Sequence, residues 1–271
     1  MAPASRIGDD GFLATLTGHP MASSNPVLRD NRIQTAVVGE QRMTVNGTIG
    51  KAGILLVLLM ITAVWTWQRF DAALADGGSA AAMAAVSPFM IGGLIAGFAL
   101  ALLSVFVQRW IALTAPLYAI AEGFAVGGIS ALFNLRYPGL VVTAVALTFG
   151  TLAAMLLLYR SGAIKVTDKL RMGIVAATGG VMLVYVADLV MGFFGVHMPV
   201  INSASPLGIG FSLLVVGIAA FNLLLDFDFI ERAAAGGAAR NMEWYGAFGL
   251  MVTLVWLYLE MLRLLSKLQR R

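Results

Sequence analysis

The chain has no cysteine and only two histidines, His19 and His197, among 271 residues. The first absence excludes disulfides, thiolate nucleophiles and thiolate metal sites, and the second nearly excludes a histidine-based zinc centre. Charge is scarce too. Charged residues make up 12% and hydrophobic residues 59%, against about 25% and 45–50% in an ordinary soluble domain. A basic stripe interleaved with aromatics is also missing, so the net charge of +4 does not point to nucleic acid. No HExxH, no GxSG with a histidine partner and no nucleotide-binding loop occurs, and Ser130 in GGIS has no nearby histidine, so no enzyme and no cofactor are expected.

What is present is apolar sequence, in runs of about twenty residues, and the mean hydropathy of the whole chain is +0.87. Such runs predict an all-α integral membrane protein, because helices satisfy their own backbone groups in lipid and alternating ten-residue strands are not seen. The lipid bilayer is therefore the first expected partner. Seven segments are predicted, at about Thr48 to Trp67, Val86 to Val107, Leu113 to Phe133, Leu140 to Tyr159, Gly173 to Phe194, Leu207 to Leu225 with the helix running on to about Ala235, and Tyr245 to Leu265. Pro88, Pro116, Pro138 and Pro206 are read as lying at or near helix starts. Residues 1–46 are polar and mixed in charge, and they are expected to form a flexible tail ahead of a membrane domain over 47–271.

Lys and Arg in the tail and around Arg160 to Arg171 predict a cytoplasmic N-terminus by the positive-inside rule. Seven crossings then put the basic end, with Arg263, Lys267 and Arg270, on the opposite side, against that rule. The GxxxG pairs Gly93/Gly97 and Gly123/Gly127 are read as close helix packing within the bundle.

Acids inside apolar helices cost roughly 2.5–3.5 kcal/mol on insertion scales, so each is a candidate for function. Glu260 lies in VWLYLEMLRLL, either paired with Arg263 one turn on or facing the interior with a held or shared proton. Asp226 follows LLL with no local partner, whereas Asp228 stands four residues before Arg232 and is read as its ion-pair partner. A spacing of two points the two aspartates to different sides of the helix. Glu122 and Asp188 are expected to face the interior, and Arg109 is expected to be the cation among these acids. Oxygen ligands of this kind suit a hard cation such as calcium.

The stretches LLLDFDFIERAA and WLYLEMLRLLSKL resemble the Bax inhibitor-1 family, and EWYGAFGLMVTLVWLYLEMLRLLSKL is similar to its bacterial YccA-like branch. In that comparison Asp226 stands for the acid of the sixth helix and Glu260 for the acid of the last. The resemblance implies a seven-transmembrane-helix bundle with a central last helix, in a bacterial inner membrane. It also implies a pH-sensitive calcium leak gated by a carboxylate pair that shares a proton. Naive helix arithmetic nevertheless puts the two acids at different depths, Asp226 about 15 Å and Glu260 about 26 Å from the turn between their helices. The alternative expectation is a regulatory membrane protein that binds a protease or another partner through its N-terminal tail.

Overall fold

The computed structural model describes residues 42–196 and 198–270. The expected tail, up to Gln41, and any partner binding through it lie outside the described residues. Seven α-helices follow: α1 (Val45–Phe106), α2 (Ile111–Arg136), α3 (Leu140–Arg160), α4 (Asp168–Phe193), the short α5 (Pro199–Asn202), α6 (Pro206–Ala235) and α7 (Met242–Gln269). A 3-10 turn, Gln108–Trp110, joins α1 to α2. The six long helices are each apolar and long enough to cross a membrane.

Helix α1 holds 62 residues. Straight, it would span about 93 Å, three times a hydrocarbon core of about 30 Å. It does not run straight, because Gly78 has φ 73° and ψ −168°, a conformation essentially reserved for glycine. Beyond that break the chain doubles back. Trp65 and Phe89 meet edge to face at 5.0 Å, although 24 intervening rises along one helix would hold them about 36 Å apart. Both rings also pack on Phe124 of α2. The arms 45–77 and 79–106 therefore correspond to the first two predicted segments. Both arms extend into the interval expected to separate them, because QRFDAALADGGSAAAMAA is rich in alanine, the strongest helix former. Pro88 accordingly sits inside a helix and not at its start. Pro116 lies in the second turn of α2, near its start as expected.

The GxxxG glycines pack within the molecule, as expected. A Cβ on Gly123 or Gly127 would overlap the backbone of Leu59 or Ala63 in the first arm, and one on Gly93 would press on Ala121 of α2. Arms and α2 thus approach to backbone contact. Helix starts carry side-chain caps: Thr44, Thr167 and Ser205 hydroxyls accept from Gly47, Leu170 and Gly208 amides.

Helix α7 packs against α1, α2, α3 and α6. Its Met251, Leu257 and Leu262 are fully enclosed with Leu223 and Leu224 of α6 and Leu55 of α1. On the outer helices large apolar side chains such as Phe98, Val142, Leu183 and Phe193 are exposed, the surface a lipid-facing bundle needs.

Tracing the helices puts Arg42 and Arg270 at opposite faces. On the first face Met43 donates its amide to the Ala238 carbonyl at 2.7 Å, beside the 161–167 and 236–241 loops. On the second face Arg270 reaches the Tyr137 hydroxyl at 2.8 Å, beside the α5 region.

Candidate functional site: the buried polar seam of the last helix

Gly246, Thr253, Glu260 and Lys267 recur every seventh residue of α7, and all four are buried. A heptad drifts only about 20° on a straight helix, so the four lie on one face. That face meets α6, with α4 closing over its middle.

Asp226 of α6 points at this stripe. A Cβ on Gly249 would lie 3.6 Å from its Oδ1, and the Thr253 hydroxyl is its hydrogen-bonding neighbour. Its Oδ2 is shielded and has no partner among the described residues. Glu260, 2% exposed, makes its contacts through Oε1 alone. That atom accepts from the Tyr185 hydroxyl of α4 at 2.9 Å and from Arg263 Nη1 at 2.7 Å. Arg263 also donates to the Tyr185 hydroxyl at 2.6 Å and stacks over its ring. Glu260 Oε2 is the second shielded oxygen without a partner among the described residues.

The pairing of Glu260 with Arg263 is thus formed, yet the carboxyl stays inside. Asp226 and Glu260 do not form the joint carboxylate pair that the resemblance implies. Asp226 is level with Thr253, and Glu260 lies seven residues further along α7, about 10 Å. The depth difference set by chain length persists in the fold. Each acid clasps a different neighbour, Asp226 tying α6 to α7 and Glu260 tying α7 to α4.

The other predicted residues fall around this seam or away from it. Asp228 turns from Asp226, as its spacing requires, and accepts from Arg171 at 2.5 Å and from Arg232 at 2.8 Å. Arg232 also donates to the Val166 carbonyl at 3.2 Å, so this cluster ties the α3–α4 loop to α6. Glu122 sits on the far side of the bundle, where Gly97 leaves room for it and Tyr118 is its polar neighbour. Asp188 accepts the Met198 amide at 2.7 Å and holds the turn after α4. Arg109 is not the cation among these acids. The helix stops at Phe106, and the 3-10 turn leaves the Arg109 side chain exposed at the first face.

The cations that do enter the bundle are others. Lys267, 2% exposed, donates to the Gly208 carbonyl at 2.9 Å and to Ser212 Oγ at 2.8 Å, both on α6. At the opposite end Lys51 pairs with Glu243, which also accepts the amide and hydroxyl of Thr44 at 2.9 Å each. Glu243 is 3% exposed because Gly47 lets α1 close over it. The seven-residue spacing on α7 was the sequence signal for Lys267. It is obscured by the polar SKLQRR ending, which reads as a tail.

Across α7 from the seam lies a cavity of about 390 Å³, lined by Leu59, Val126, Val145, Leu254 and Tyr258. It is apolar, and the Tyr258 hydroxyl at its wall is satisfied by Ser130 at 2.6 Å. Helix α7 therefore separates an apolar space from a seam of buried polar side chains. Among the described residues no three His, Asp or Glu side chains converge as metal ligands.

The family model described as Bax inhibitor 1 like matches residues 25–270. The chain belongs to the Bax inhibitor-1 family. No curated protein and no solved structure matches it. The match to this Bax inhibitor-1 family member begins within the stretch expected to be tail and runs through α7, so it covers the whole described bundle.

Proposed function

We propose that this protein is a non-enzymatic cation leak of a bacterial inner membrane, of the YccA-like kind, with calcium as its cargo and carboxylate protonation as its control. In this reading the two arms of α1 are separate crossings, giving seven spans around a central α7. The N-terminal, first face is cytoplasmic. That orientation is supported by Arg42, Arg160, Lys165, Lys169 and Arg240 near that face. The basic end on the second face counts for less, because Arg263 is paired with Glu260 and Lys267 is enclosed by α6.

The observation that carries the reading is the seam itself. Two intramembrane carboxyls, Asp226 and Glu260, each present a shielded oxygen with no partner among the described residues. A buried acceptor left unmatched costs about 1–3 kcal/mol, a cost met by a proton or by a passing cation. With Asp226 protonated that acid adds no charge to the seam, and Tyr185 and Arg263 hold Glu260 so that α7 stays tied to α4. Deprotonation makes the seam negative and attractive to a divalent cation, so flux rises with pH. Two acids about 10 Å apart act as successive steps and not as one shared proton.

That difference is testable. Asp226→Asn should remove the pH dependence of calcium flux in proteoliposomes, while Glu260→Gln, which takes away the other carboxylate step, should lower flux at every pH and leave the dependence in place. Loss of the pH dependence with Glu260→Gln would instead indicate a shared proton. Survival of the full pH dependence in the double variant would defeat the mechanism.

A further inference from the structure

The two ends of the α6–α7 seam are both closed by lysines, and they are closed differently. At the first face Lys51 is neutralised by Glu243. At the second face the Lys267 ammonium lies between α7 and the start of α6, held by the Gly208 carbonyl and the Ser212 hydroxyl. Neither partner carries charge, and Lys267 makes no ion pair among the described residues. The charges acting on it are Glu260, Arg263 and Arg270 of its own helix, and Glu260 is already committed to Arg263. The α6 N-terminus, the positive end of its dipole, adds nothing to offset the ammonium. A buried cation with no neutralising partner among the described residues is costly at that place.

A carbonyl and a hydroxyl oxygen are also the ligands a hard cation takes from a protein. Resting on the proposed leak, we propose that Lys267 is a tethered cation that plugs the second-face exit of the seam. Its ammonium occupies the oxygen site through which cargo would leave, and its charge repels cations arriving from Glu260. The spacing of seven residues puts that carboxyl about 10 Å away. Removing one unit charge at that distance, with an effective dielectric constant of about 20, should raise cation passage roughly fifteen-fold.

The absence of native cysteine gives a clean test. Lys267→Cys in the full chain, reconstituted in liposomes, should conduct calcium roughly fifteen-fold faster than wild type. A methanethiosulfonate reagent carrying an ethylammonium group should return flux to the wild-type level, while a neutral methyl reagent should not. Lys267→Arg should stay near wild type, and Ser212→Ala, which loosens the ammonium without removing it, should fall between. Should Lys267→Cys fail to elute as a folded protein in detergent, the Ser212→Ala and Lys267→Arg pair decides the matter alone. Wild-type flux that is unaltered by Lys267→Cys, or by Ser212→Ala in that fallback, overturns the plug and leaves the leak standing. No flux from wild type or any folded variant removes the leak and the plug together.

Discussion

Arg263 is the residue on which the Glu260 site turns, since it bonds both the carboxylate and the Tyr185 hydroxyl. Arg263→Ala should leave the buried carboxyl with Tyr185 alone and cost about 1–3 kcal/mol. Thermal unfolding in detergent would read this as a lowered midpoint, with Arg263→Lys recovering part of it. An alanine variant as stable as wild type would mean that the pair contributes nothing. At this scale the sequence identified the acids and their partners one turn away, Arg263 and Arg232, and missed the partners on other helices. Asp226 and Glu260 stand out because a carboxylate in an apolar run is rare. Tyr185 does not, because it lies 75 residues from Glu260 and only the packing of α4 brings it there. Lys267 was hidden for the opposite reason, its neighbours being polar enough to suggest water.

Helices, by contrast, were largely legible, since apolar run length dictates them. Predicted segments three to seven correspond to α2, α3, α4, α6 and α7 within a few residues at most of their ends, and α7 outruns its prediction into SKLQ. The first two segments join across a helical, alanine-rich interval that only Gly78 interrupts. Hydropathy has no means of seeing such a hinge. Gly78→Ala forces a side chain into a glycine-only conformation and should cost about 1–3 kcal/mol in stability, read as a lowered unfolding midpoint. Gly127→Leu should be more severe, because its side chain would enter the Ala63 backbone and separate α1 from α2. Expression and gel-filtration profiles should show loss of the monodisperse protein. A well-folded Gly127→Leu variant would contradict the close approach.

For the molecule as a whole, the two-faced arrangement follows from the helix path and fixes where the charges lie. Single cysteines placed at Ala163 and at Ala238 should react together with an impermeant maleimide from one side of the membrane. Cysteines at Ser79 and Gln269 should react from the other. Labelling of all four from one side would contradict the path. The larger claim is that the α6–α7 seam carries cations under the control of its acids. Its most direct test is calcium entry into proteoliposomes of the wild-type protein between roughly pH 5 and 8, with Asp226→Asn alongside. The account predicts flux that rises with pH in the wild type and is flat in the variant. Folded wild-type protein that passes no calcium anywhere in that range would contradict it, and Asp226 and Glu260 would then be structural clasps between helices.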